Sequence, residues 1–175
     1  AFAPRSFDII VCGFALHFLD YQRVLARCRT LLKPGGCFAA VQPYIPINPI
    51  ERERWRWLPE LARAAFPPDF VPPSSWIAPN QLNTVDRLEP VLRDAGFDDL
   101  RFIHEEALLH FADEADWWDW EWSQGSRFWV EAMAPEALAR FQRDSFAHLS
   151  AMKSPQGIAM LLGALLAVAR VPSGA

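Results

Sequence analysis

Six consecutive residues combine side chains that could bind a ligand with one that could move a proton: Cys12, Gly13, Phe14, Ala15, Leu16 and His17. They follow a continuous apolar run, Phe7 to Cys12, which is typical of a buried parallel strand. Ligands of open α/β sheets bind at the carboxyl ends of strands, and Gly13 would let a ligand approach the backbone closely. A tight turn without a ligand is the alternative. His17 could be a general base or a packing and hydrogen-bonding residue.

Two aromatic clusters could line an apolar pocket. The candidate substrate contacts in and beside them are Tyr44, Trp55, Trp76, Trp118 and Trp122. Trp118 and Trp122 lie four residues apart, so one helical face would be strongly aromatic. Ordinary packing in a small helical cap, or a dimer contact, is an open alternative. Glu121, Arg127 and Glu131 could orient a polar substrate group, although charged side chains on such helices are usually solvated.

Composition and spacing exclude several classes of function. His104, His110 and His148 have no ligand spacing with each other or with cysteine, so we predict no metal site. The odd number of cysteines, three, argues against a disulfide framework and favours a reducing, cytoplasmic setting. The net charge of -4 gives no electrostatic case for nucleic acid or an anionic membrane. The longest apolar run, Ile158 to Ala169, is too short to span a bilayer.

The elements that would position these residues begin with one βαβ unit. Asp20 is a plausible N-cap for a helix whose apolar positions recur three and four residues apart. Lys33-Pro34-Gly35-Gly36 would end that helix in a turn. Cys37 to Val41 then predicts a second strand, in a right-handed crossover.

The rest of the chain predicts helices within 50–66 (broken or kinked by Pro59), 84–95, 113–122 and 135–152, and strands at 100–103 and 158–171. We divide the chain accordingly. The divisions are a βαβ part (1–43), a Pro/Trp-rich helical insertion or lid (44–83), a core helix and strand (84–106), an aromatic helical segment (107–156) and a final core strand with a tail (157–175).

The ordered set of motifs resembles a class I S-adenosylmethionine-dependent methyltransferase of the methyltransferase type 11 kind. Phe7-Asp8, Leu16-His17 and Leu31 to Gly36 (LLKPGG) match the family's pattern of strand, helix and turn. TVDRLEPVLRDAGF, from Thr84, and LLAVARVP, from Leu165, resemble the later helix and the last strand. The resemblance implies an α/β fold: the C-terminal portion, strands four to seven, of a Rossmann-like seven-stranded sheet with a helical cap insertion.

The resemblance also implies a cofactor and a substrate class. Residues 12–16 would border the methionine and reactive end of S-adenosyl-L-methionine, with His17 as the candidate catalytic residue. The acceptor would be a small, hydrophobic molecule of natural-product or quinone type. The Pro-Gly-Gly turn lies at the opposite edge of the sheet from that chemistry, so it would be structural.

One departure from the family pattern is large, because the sequence contains neither the acidic Gly-rich cofactor loop nor the acid that binds the ribose hydroxyls. We therefore expect the chain to be a fragment of a longer enzyme that, in isolation, is inactive, binds S-adenosylmethionine poorly and self-associates through an exposed sheet edge. Two alternatives remain: a methyltransferase-like, non-catalytic binding or interaction module, and half of a nicotinamide-dependent oxidoreductase.

Overall fold

The computed structural model describes residues 2–44, 49–72 and 82–174 as a mixed α/β chain. Its helices are α1 (Tyr21–Leu31), α2 (Pro49–Arg54), α3 (Trp57–Ala64), α4 (Val85–Asp94), α5 (Glu114–Ser123), α6 (Arg127–Glu131) and α7 (Pro135–Met152). Its strands are β1 (Phe7–Gly13), β2 (Leu32–Tyr44), β3 (Asp98–Phe111) and β4 (Ile158–Arg170). A short 3₁₀ turn spans Leu16–Phe18. The four strands form one sheet in the order β1-β2-β4-β3.

The chain divides into two compact units, which we describe separately. The sheet unit comprises Ala1–Ile45, Pro72–Glu106 and Leu162–Ala175. The helical unit comprises Pro46–Val71 and Ala107–Leu161. Each unit therefore draws on segments that are distant in the sequence.

In the sheet unit, β1 pairs with β2 in parallel and β2 pairs with β4 in antiparallel orientation. The buried core includes Leu25 of α1, Phe38 of β2 and Leu88 of α4. β1 lies at one end of the strand order, and its side chains Ile9 and Val11 are 61% and 67% exposed. The prediction of a buried first strand is thus wrong for one of its two faces. An apolar run alone does not show how much of a strand its neighbours cover.

The Pro-Gly-Gly turn joins α1 to the sheet. The Asp20 carboxylate accepts a hydrogen bond from the Arg23 amide, as expected of an N-cap, and the helix ends at Leu31. Phe7 then pairs with Leu32 but Ile9 pairs with Cys37, so residues 33–36 form an irregularity in the β1–β2 ladder. The turn is therefore part of the irregular start of β2, where Lys33 contacts the exposed Asp8 carboxylate at 2.8 Å.

The α4–β3 segment follows the predicted order. α4 buries Leu88 and Leu92, and Pro90 lies inside the helix. The Phe97 amide donates to the Leu92 carbonyl at 3.1 Å, which closes the helix end beside Gly96. β3 is longer than its predicted core of 100–103, because a strand at the end of a sheet can continue through exposed polar residues.

In the helical unit, the break expected at Pro59 lies earlier. α2 ends at Arg54 and α3 begins at Trp57, so Pro59 is in the first turn of α3. A missing amide hydrogen costs little there, because the first amides of a helix have no intrahelical partner. Pro135 similarly occupies the start of α7, as predicted.

Candidate functional site

The carboxyl end of β1 has an unusual backbone at Phe14. This residue has φ +49°, in the left-handed region that residues other than glycine rarely adopt. Its amide donates to the Val41 carbonyl of β2 at 2.8 Å, which holds the conformation. A Cβ added at Gly13 would meet nothing within 4 Å, so Gly13 borders open space. A strained residue next to an open glycine is a common arrangement where backbone approaches a ligand.

His17 is held by a buried amide from the neighbouring strand. Its Nδ1 lies 2.9 Å from Oε1 of Gln42, whose side chain is fully buried near the carboxyl end of β2. With Oε1 as acceptor, the neutral imidazole carries its proton on Nδ1 and leaves a lone pair on Nε2. Gln42 Nε2 has no hydrogen-bond partner among the residues that the structure describes. Gln42 can therefore orient the His17 ring so that Nε2 is available to accept a proton.

The other residues predicted in this segment differ in what they can offer. Leu16 is buried in the core of the sheet unit, so only its backbone could face a ligand. Burial raises the pKa of the Cys12 thiol above its ordinary value. Cys12 therefore stays a neutral, weakly polar side chain at neutral pH and is unsuited to act as a thiolate nucleophile.

The predicted substrate contacts fall in different parts of the structure. Tyr44 belongs to the sheet unit, where its ring lies 4.7 Å from that of His104 and its buried hydroxyl has no partner among the described residues. Trp55, Trp118 and Trp122 belong to the helical unit. Trp76 lies outside the described residues.

Within the helical unit, the predicted aromatic contacts pack on one another. The Trp118 ring lies 6.2 Å from the Trp122 ring and 6.0 Å from the Phe141 ring of α7. Trp55 lies 5.7 Å from Trp57. These contacts are what the packing alternative expects, and a role of these tryptophans in substrate binding stays a prediction.

Gln42 was not predicted as a site residue, and Glu121 was named only as one of three charged side chains that could orient a polar substrate group. Glu121 is 3% exposed, and burial raises its pKa to about 7. Arg127 and Glu131 instead form an exposed ion pair at 2.7 Å. A signal existed for Gln42, because it interrupts the apolar strand FAAVQPY. A signal also existed for the burial of Glu121, because it lies four residues after Trp117, on the same helical face.

Two further findings concern metal binding and membrane-spanning helices. The structure's described residues contain no group of three or more His, Cys, Asp or Glu side chains able to hold a metal ion. Among the same residues, every helix is too short or too polar to cross a membrane.

Comparison with known proteins supports the resemblance. A family model described as "Methyltransferase domain" matches residues 1–40, which include β1, α1 and the Pro-Gly-Gly turn. The fold matches YcgJ of Bacillus subtilis with a TM-score of 0.52 at 20% identity, covering 98% of this chain and 66% of that one. These findings confirm the resemblance to class I S-adenosylmethionine-dependent methyltransferases and the predicted Rossmann-like fold class.

Curated relatives are methyltransferases by name. The demethylmenaquinone methyltransferase of Chlorobaculum parvum is 28% identical over 124 residues, covering 63% of this chain and 50% of that protein. The nocamycin O-methyltransferase of Saccharothrix syringae is 29% identical over 161 residues, covering 85% of this chain and 56% of that protein. The chain thus spans about half the length of the curated relatives it matches.

Proposed function

We propose that this chain forms the strand-four-to-seven part of an S-adenosylmethionine-dependent methyltransferase that acts on a small, hydrophobic molecule in the cytoplasm. The observation that carries this proposal is the arrangement at the carboxyl ends of β1 and β2. There, open space at Gly13, left-handed backbone at Phe14 and the His17–Gln42 pair occur together. Ligands of open α/β sheets bind at this edge.

The residues present fit the reactive end of the cofactor. Gly13 has room for a ligand to approach its backbone closely. The Cys12 thiol beside it is neutral, so it offers no thiolate that could react with the cofactor's methyl group. When bound, S-adenosylmethionine would supply an electrophilic methyl group on a sulfonium. We assign Cys12, Gly13, Phe14, Ala15 and the Leu16 backbone to this end of the molecule.

Methyl transfer needs alignment of donor and acceptor, and some acceptors must also lose a proton. His17 is the candidate base, because Gln42 fixes its ring and leaves Nε2 able to accept that proton. Gln42 would act as a positioning residue through His17. The relatives' names include a methyltransferase of demethylmenaquinone and one of nocamycin, which supports an organic small-molecule acceptor.

A non-catalytic binding module remains the second candidate, favoured by one observation. The 175 residues contain no acidic Gly-rich loop, which in the resembling enzymes supplies the main cradle for the cofactor. Under this alternative the sheet edge would serve to bind another molecule without methyl transfer.

The coding sequence upstream of Ala1 and an assay of its product separate these candidates. An in-frame acidic Gly-x-Gly-x-Gly after an apolar strand, with methyl transfer from labelled S-adenosylmethionine, supports the enzyme. In that product, Gly13→Ala should weaken cofactor binding, and His17→Gln should lower kcat with little change in cofactor affinity. Asp20→Asn is the control, because this exposed side chain caps α1 and has no assigned contact with cofactor or acceptor. It should change neither kcat nor cofactor affinity. A stop codon directly before Ala1, or an unchanged kcat in His17→Gln, would contradict the respective assignment.

A further inference from the structure

The helical unit contains buried polar side chains that its own residues do not satisfy. Glu121 and Ser145 are buried, as is Trp117, and each has a polar atom without a hydrogen-bond partner among the described residues. Trp57 is a fourth such residue. Buried polar atoms in folded proteins nearly always have partners, so a concentration of unpaired ones needs an explanation.

The packing of α5 against α7 brings these groups to one level of the unit. Glu114 at the start of α5 contacts Ser150 and Lys153 at the end of α7, and Trp118 lies 6.2 Å from Phe146. The two helices therefore run antiparallel with a defined register. That register puts Glu121 within about one helical turn of Ser145 along the helix axes.

The aromatic side chains extend this polar group. Trp117 lies one turn before Glu121 on the buried face of α5. The Trp57 ring of α3 is 6.3 Å from the Trp117 ring and stacks on His148 of α7 at 4.7 Å with an interplanar angle of 2°. Trp57 and Trp117, whose indole N–H groups have no partner among the described residues, thus pack against other aromatic rings.

The donors and acceptors define the chemistry of a matching ligand. Indole N–H groups only donate, so a partner must offer a lone pair, which excludes an ammonium group. The Glu121 carboxyl and the Ser145 hydroxyl can both accept a proton donor. A hydroxyl on an aromatic ring satisfies both requirements, and its ring can pack edge-to-face against the aromatic side chains of the unit.

We infer that Glu121, Ser145 and the indole N–H groups of Trp57 and Trp117 form a binding site for a phenolic hydroxyl within the helical unit. Burial raises the pKa of Glu121 to about 7, which suits a carboxyl that shares a proton with a weak acid. Binding at this site does not require methyl transfer. Where the phenol is also the methyl acceptor, the inference rests on the proposed function.

Equilibrium dialysis of the 175-residue chain with 2-naphthol and 2-methoxynaphthalene, without cofactor, tests the site. The two probes share the ring, but only 2-naphthol donates a hydrogen bond. We expect 2-naphthol to bind at least tenfold more tightly. Glu121→Met and Ser145→Ala should each weaken 2-naphthol binding about tenfold. The affinities of each variant for the two probes should therefore become more similar.

The control is Asp119→Asn, an exposed acid on the same helix, which should leave both affinities unchanged. Circular dichroism checks that each variant is folded. If Glu121→Met does not fold, the comparison rests on Ser145→Ala. Equal affinity for the two probes, no binding of 2-naphthol, or the same result for Glu121→Met and Asp119→Asn overturns the inference. Each of these outcomes leaves the cofactor assignments at Gly13 and His17 unaffected, because no cofactor is present.

Discussion

The two units differ in where exceptions to the usual distribution of polar and apolar groups are concentrated. The sheet unit exposes large apolar side chains at the β1 end: Ile9, Val11, Phe14, Phe18 and Leu19. Buried polar side chains with unpaired atoms are more frequent in the helical unit than in the sheet unit, where they are Gln42, Tyr44 and Asn83. In the helical unit they are Glu51, Trp55, Trp57, Trp117, Glu121 and Ser145. Exposed apolar surface is suited to contact with other protein surface, whereas buried polar atoms are suited to a polar ligand. We therefore expect the two units to differ in the kind of molecule that each contacts.

Two glycines give the largest contrast in stability. Gly157 in the helical unit has φ +97°, and a Cβ there would clash with the Phe111 carbonyl oxygen. Gly157→Ala should therefore cost about 3 kcal/mol or more of unfolding free energy. Gly13→Ala, facing open space in the sheet unit, should change it by less than about 0.5 kcal/mol. Urea denaturation checks both, and similar losses would show that β1 is as tightly enclosed as the Gly157 turn.

Glu121 should make the helical unit sensitive to pH. Its pKa rises from 4.5 to about 7 on folding, because burial penalises the charged carboxylate. Below pH 4.5 the group is protonated in both the folded and the unfolded chain. Between about pH 4.5 and 7 the unfolded chain loses the proton first, so the free energy of unfolding should fall by about 3 kcal/mol. Glu121→Gln should remove this fall.

Glu114 on the same helix is the matched control of opposite sign. A hydrogen bond from the Ser150 hydroxyl is the main reason that the pKa of Glu114 lies below its ordinary value. Its contribution to stability is present above that ordinary value and is lost as the pH falls. Glu114→Gln should therefore flatten the acid side of the stability curve only. The Glu121 assignment is wrong if both variants have the same pH profile.

The buried Gln42 gives a smaller effect in the sheet unit. Gln42→Leu should cost about 1 kcal/mol, since it removes the hydrogen bond to His17 but leaves apolar contacts in place. Nitrogen-15 NMR of neutral His17 should report the Nδ1–H tautomer in the wild type and a mixture in Gln42→Leu. A mixture of tautomers already present in the wild type would show that Gln42 does not orient the ring.

The exposed face of β1 should give the smallest change in stability. Ile9→Thr with Val11→Thr replaces exposed side chains and should alter unfolding free energy by less than about 0.5 kcal/mol. Ile10→Thr, whose wild-type side chain packs against the core, should cost about 1–2 kcal/mol. Sedimentation velocity should show less self-association in the double variant. Equal association in double variant and wild type would contradict a role of this face in contacts.

The order of elements was predictable because local signals agree with one another. Pro135 and Met152 bound α7 as predicted, since proline favours the first turn of a helix and the apolar period continues unbroken. Asp20 and Asp113 cap their helices through side-chain acceptors. The break near Pro59 was misplaced, because a proline's effect depends on its position within a helix that the sequence pattern does not locate.

The sequence by itself determined the βαβ unit, the Pro-Gly-Gly turn and the methyltransferase resemblance, because these depend on apolar period and turn chemistry within short segments. Only the tertiary structure decided that β1 exposes Ile9 and Val11, that Gln42 meets His17, and that Glu121 is buried. Each of these facts depends on which distant segment packs on a given side chain. A glutamate on a predicted helix is expected to be solvated until its neighbours in the fold are known. Burial then raises its pKa and favours the protonated carboxyl.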